Sequence, residues 1–85
     1  MYKKNTNFFV EESEDSIILY NNDNNEKLLV LNEIGSLIFN EIDKLDISEI
    51  IDRIITKYEV NEDELRKDIE VYINNLMKLQ IIYKE

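Results

Sequence analysis

The chain has 85 residues, a formal net charge of −9 and a hydrophobic share of 44% that includes fourteen isoleucines, enough apolar material for one packed core. A domain of this size buries roughly 60–65% of its unfolded surface and carries a stability of about 4–13 kcal/mol. With no histidine, no cysteine and a single glycine, it lacks the side chain most used for proton transfer, the commonest nitrogen and sulfur ligands for metals, a disulfide framework and a Gly-rich phosphate loop.

Nineteen acids against ten bases disfavour nucleic acid and anionic membrane surfaces, since affinity for both comes largely from Lys and Arg. The first twenty residues contain no long apolar run, and Lys3 and Lys4 are followed by polar residues, so neither a signal peptide nor a membrane span is expected. A cysteine-free chain fits the reducing cytoplasm. So small a fold also leaves little room to desolvate a carboxylate pair for catalysis. The expectation is a non-enzymatic, cofactor-free single domain over residues 1–85 whose partner is a protein or peptide.

The N-terminal third reads as strands at Phe8-Phe9-Val10, Ser16 to Tyr20 and Lys27 to Leu31, a β region over residues 7–31 rich in β-branched and aromatic residues. Between the last two, Asn21 to Glu26 carries the Asn and Asp that tolerate left-handed backbone and bond locally, so a hairpin turn is expected. A calcium loop of the EF-hand type would need a Gly and a distant bidentate Glu in register, which this stretch lacks.

From Asn32 the period changes to that of a helix. Ile34, Leu37, Ile38, Ile42 and Leu45 form one stripe behind an Asn32 cap, which predicts a first helix over about 33–45. Asp46 with Glu49 is a capping-box variant with a Leu45/Ile50 staple, opening a second helix over about 47–58. Asn61 with Glu64, and Val60 against Leu65, open a third over about 62–79 with the stripe Leu65, Ile69, Tyr72/Ile73 and Leu76. Only Glu59-Val60-Asn61 separates the last two, so they read as a helix-turn-helix. The chain closes at Ile81-Ile82-Tyr83 either as a terminal β segment or as a helix end packed on the core.

The third predicted strand, Lys27-Leu28-Leu29-Val30-Leu31, is apolar on both faces, whereas a strand with one solvated face alternates. Two explanations fit the pattern. Leu28 and Val30 lie under the third helix while Leu29 and Leu31 face the others, or Leu28 and Val30 line a groove beside an open strand edge that an extended peptide fills by strand addition.

The order of these fragments resembles the PqqD family across nearly the whole chain. Val30-Leu31-Asn32-Glu33-Ile34-Gly35-Ser36-Leu37-Ile38 is similar to the family's strand-to-helix signature, Asp46-Ile47-Ser48-Glu49-Ile50 to its capped second helix, and Asp68-Ile69, Tyr72-Ile73 and Leu76 to its third-helix pattern; Tyr58 stands where an aromatic closes the second helix. Two glycines of the pattern are replaced, by Lys44 after Asp43 and by Gln80 before the final aliphatic pair, which puts the backbone of both turns in question.

The resemblance implies an α+β winged helix-turn-helix, a three-stranded antiparallel sheet followed by three helices, that binds the leader region of a ribosomally made precursor peptide. It implies delivery to a modifying enzyme, such as a radical S-adenosylmethionine enzyme or a leader protease. The backbone of Lys27, Leu28, Leu29, Val30 and Leu31 would pair with the leader. Leu28 and Val30 would form one wall of the groove, with Arg66, Ile69, Glu70 and Ile73 on the other. Ile69 and Ile73 also fit a core role on their apolar stripe, and Arg66 fits a helical ion pair with Glu62 or Glu70. A helix-turn-helix transcription regulator and a structural subunit of an enzyme complex are the competing readings.

Overall fold

The computed structural model describes residues 2–14 and 16–85, in the order β1 (Tyr2–Lys4), β2 (Phe8–Glu12), β3 (Ile17–Asn21), β4 (Lys27–Leu31), α1 (Glu33–Glu41), α2 (Ile47–Lys57), α3 (Glu62–Lys78) and β5 (Ile82–Lys84). The α+β architecture inferred from the sequence is the one observed: β2, β3 and β4 form an antiparallel sheet in that order, and three helices follow. The β3–β4 connection is a tight turn. Asn25 sits at φ 60°, and the Asn21 and Asn24 side chains accept from the backbone N–H of Asp23 and Glu26 at 2.7 and 3.0 Å.

Register decides which residues reach the core. Ile17 pairs with Leu31 and Leu19 with Leu29, so these face inward together, whereas Ile18 and Val30 pair on the outer face. Tyr20 then pairs with Lys27, which leaves Leu28 as the extra residue of a β-bulge. The inner face meets Ile38, Phe39 and Ile42 after β4, then Ile50, Ile51 and Ile54 of α2, then Leu65, Ile69, Ile73 and Leu76 of α3, all buried. Each helix begins as its caps dictate: the side chains of Asn32, Asp46 and Asn61 accept from the N–H of Gly35, Glu49 and Glu64 at 2.8, 3.0 and 3.0 Å.

Two features differ from the sequence reading, and one alternative it left open is decided. Helix α1 stops at Glu41 rather than near residue 45, because the Glu41 carbonyl accepts from both Lys44 and Leu45 and closes a turn that presents Asp46, in extended backbone, as the cap of α2. The segment at Tyr2–Lys4 forms a strand the sequence did not announce, pairing antiparallel with β5 at the far end of the chain. Of the two alternatives for the C-terminus, the β segment is the one formed, although Ile81 and Ile82 are also buried in the core.

Both glycine replacements resolve at the backbone. Gln80 adopts φ 59°, the left-handed conformation a glycine favours, and completes a Schellman motif: its N–H bonds the Met77 carbonyl at 3.0 Å and the Ile81 N–H reaches the Leu76 carbonyl at 2.9 Å. Lys44 shows no positive φ, so that turn is made without one.

Candidate functional site

Strand β4 lies at an edge of its sheet. Its inner neighbour is β3, and among the described residues no strand pairs with its other side. An edge of this kind offers a row of free backbone donors and acceptors. Beside it runs a groove of about 570 Å³ whose sheet wall is Leu29, Val30 and Leu31 and whose far wall is the face of α3 bearing Leu65, Asp68, Ile69 and Tyr72. Ile34, Gly35 and Ile38 of α1 close it at one side, and Glu59, Val60 and Asn61 from the connection between α2 and α3 also border it.

A specific contact at Gly35 joins two walls of the groove. The Tyr72 hydroxyl donates to the Gly35 carbonyl at 2.8 Å, tying α3 to the first turn of α1. A Cβ at position 35 would stand 3.2 Å from the Asn32 Oδ1 that caps the helix and 3.6 Å from the Tyr72 ring, so glycine permits the close approach. Burial pushes the Tyr72 phenol well above its ordinary range, and the group stays a neutral donor throughout the physiological range. The floor is apolar. Leu31 and Ile69 are buried there, while Val30 stands at the rim at 51% exposure.

Of the nine residues expected to bind peptide, four line the groove, three border a second depression that Ile69 also touches, and two line neither. Leu29, Val30, Leu31 and Ile69 come together in the groove. Leu28 does not line it: as the bulged residue it packs, half-buried, against the core. Lys27 begins the edge strand, exposed and outside the groove lining. Arg66, Glu70 and Ile73 border a different depression, of about 420 Å³, with Tyr2, Ile47 and Ile51. The expectation that they face β4 is corrected by helical geometry. At 100° per residue, the side of α3 carrying Leu65, Asp68 and Tyr72 toward β4 turns Arg66, Glu70 and Ile73 away. Arg66 pairs instead with Glu62, one turn earlier, at 3.4 Å. The sequence reading missed Leu65, Asp68 and Tyr72 as groove residues; helical spacing from the Asn61 cap puts all three on one face, but only packing decides that this face meets β4.

An apolar trough flanked by an unpaired strand edge, on a sheet followed by a helix-turn-helix, defines a winged helix-turn-helix domain with an accessible β-edge. The chain belongs to the PqqD family: the model described as coenzyme PQQ synthesis protein D matches residues 16–82, from just before β3 to the start of β5. A solved structure described as TbiB1 in complex with the TbiA(beta) leader peptide has the same fold, with a TM-score of 0.82 over 98% of this chain and 99% of that one. At 19% identity the likeness is one of fold. Comparison with curated proteins gives no match.

Proposed function

We propose that this domain binds, without catalysis, the leader region of a ribosomally synthesised precursor peptide and delivers it to a modifying enzyme. The leader adds as a further strand to the free side of β4, pairing with the backbone of Lys27 to Leu31. Its alternate side chains enter the groove against Leu65, Ile69 and Tyr72. Main-chain pairing then supplies affinity and the groove supplies selection. The observation that carries this reading is the unpaired edge of β4 lying directly along an apolar groove. Membership of the PqqD family supports it, as does a neighbour of the same fold described in complex with a leader peptide. A radical S-adenosylmethionine enzyme or a leader protease is the kind of enzyme that would receive the cargo. Regulation through DNA draws no such support, because α3 opens on Glu62, Asp63 and Glu64, where a recognition helix needs bases or neutral donors.

Amide NMR during titration with a precursor leader tests the proposal. Shifts are expected in residues 27–31 and along the Leu65–Tyr72 face, and an unperturbed β4 would defeat it. Val30→Asp gives a second test. Half-exposed at the rim, Val30 tolerates the change in the free protein, yet a carboxylate desolvated under a bound strand weakens binding by at least ~1 kcal/mol. Unchanged affinity in the folded variant would remove Val30 from the binding surface.

A further inference from the structure

The groove that accepts the strand is apolar at its floor and acidic along its rim. Glu59, Glu64 and Asp68 border it, all exposed, and no Lys or Arg does. Among the described residues the ion pairs are Lys3 with Glu85, Lys4 with Asp43, Arg53 with Glu41 and Arg66 with Glu62, so none of the three rim carboxylates has a cationic partner. Nor do they form a group that could hold a metal ion. Glu64, in the first turn of α3, is favoured there by the helix dipole, but Glu59 precedes the helix and Asp68 lies beyond its first turn, where that field has faded.

The spacing suits a strand. Groove-lining residues of α3 run from Glu64 to Asn75, so the trough follows the helix axis. Glu64 and Asp68 are separated by about 6 Å of helical rise, close to the roughly 6.7 Å between alternate residues of an extended chain. A Lys or Arg matches such a wall along its whole length, because its methylenes lie on apolar surface while its charged end reaches the rim.

Resting on the proposed strand addition, we infer that the groove selects a basic partner. Its occupant is an extended segment that sets apolar side chains against Leu65 and Ile69 and one or two Lys or Arg residues against Glu59, Glu64 and Asp68. These three carboxylates are thereby specificity-determining residues, and acidic or neutral leaders are poor ligands.

Selection of random 12-residue peptides displayed on phage against the full chain tests this without knowing the natural partner. Bound peptides are expected to combine alternating apolar residues with Lys or Arg at a fixed offset. The triple variant Glu59→Gln, Glu64→Gln, Asp68→Asn should bind the selected peptides about tenfold more weakly, since exposed ion pairs contribute up to about fivefold each. A second triple variant of the same net charge, Glu12→Gln, Asp23→Asn, Glu26→Gln, lies outside the groove and should retain full affinity, which separates local pairing from general attraction by an acidic protein. If both variants lose affinity equally, or if the selected peptides perturb β4 amides yet carry no basic residues, the charge inference is overturned while strand addition stands. If no selected peptide perturbs β4, strand addition falls and the inference with it. Circular dichroism on both variants confirms that the fold is retained.

Discussion

Gln80 holds a left-handed φ of 59° between the end of α3 and strand β5, a conformation that costs a side-chain-bearing residue roughly 1–2 kcal/mol. It is kept because the motif around it is complete: two carbonyls are satisfied, and Leu76 and Ile81, three residues before the cap and two after it, are both fully buried. Gln80→Gly should therefore stabilise the protein by about 1 kcal/mol, offset in part by the greater freedom of glycine in the unfolded chain, and a rise in the urea midpoint is the measurement. Tyr72 gives a residue-scale prediction with a pH sign. Burial raises its phenol above the ordinary value near 10, so the unfolded chain loses the proton first. Its contribution is intact below pH 10 and is lost as pH rises beyond it. Across pH 9 to 11, Tyr72→Phe should flatten the decline in stability, while at neutral pH it costs about 0.5–1.5 kcal/mol through the lost bond to Gly35. An unchanged alkaline slope would mean that the ring is open to water.

At the scale of elements, how far the sequence could be read depended on the range of the interactions. The three caps and the apolar stripes behind them are local, and the positions of Asn32, Asp46 and Asn61 locate every helix start. The floor of the site was similarly legible in the unbroken apolar run of β4. Which α3 residues face that strand was not, because Leu65, Ile69, Ile73 and Leu76 share one stripe, and only packing against α2 on one side and β4 on the other divides it. The bulge that withdraws Leu28 depends on pairing between strands, which no single segment encodes. Strand β1 is the extreme case: Tyr2-Lys3-Lys4 has little β character of its own and becomes a strand by pairing with Ile82–Lys84. Asn5 extends that clamp, its N–H donating to the Ile81 carbonyl at 2.8 Å and its side chain to the Gln80 carbonyl at 2.6 Å. Lys4 also sits 4.2 Å from the Phe39 ring centroid. Removing residues 2–5 should cost about 2–3 kcal/mol at roughly 1 kcal/mol per net hydrogen bond, read as a lower guanidinium midpoint. Because β1 lies away from β4 and its groove, peptide affinity at temperatures where the truncated chain is folded should be unchanged.

For the whole molecule, the charge balance sets two responses to salt that run in opposite directions. Nineteen acids and ten bases are compressed into one small domain, and three of the four described ion pairs have at least one half-exposed or more exposed partner, where such a pair contributes about 0–1 kcal/mol. Repulsion among the unpaired carboxylates therefore outweighs the attraction of the pairs. At low ionic strength the Debye length exceeds the distance between neighbouring carboxylates, and near 0.1 M it falls to about 10 Å, so salt relieves repulsion across the surface. Raising sodium chloride from about 20 to 300 mM should raise the melting temperature by about 4–8 °C, the shift equivalent to about 1 kcal/mol for a domain of this size. A fall in melting temperature over that range would show that the surface pairs dominate. A basic strand seated against Glu59, Glu64 and Asp68 must respond in the other sense, because the same screening weakens its pairing with the rim. On the proposed seating of a basic strand, the domain should gain stability and bind more weakly as salt rises, and calorimetry of the free and peptide-bound protein at matched ionic strengths measures both slopes in one experiment.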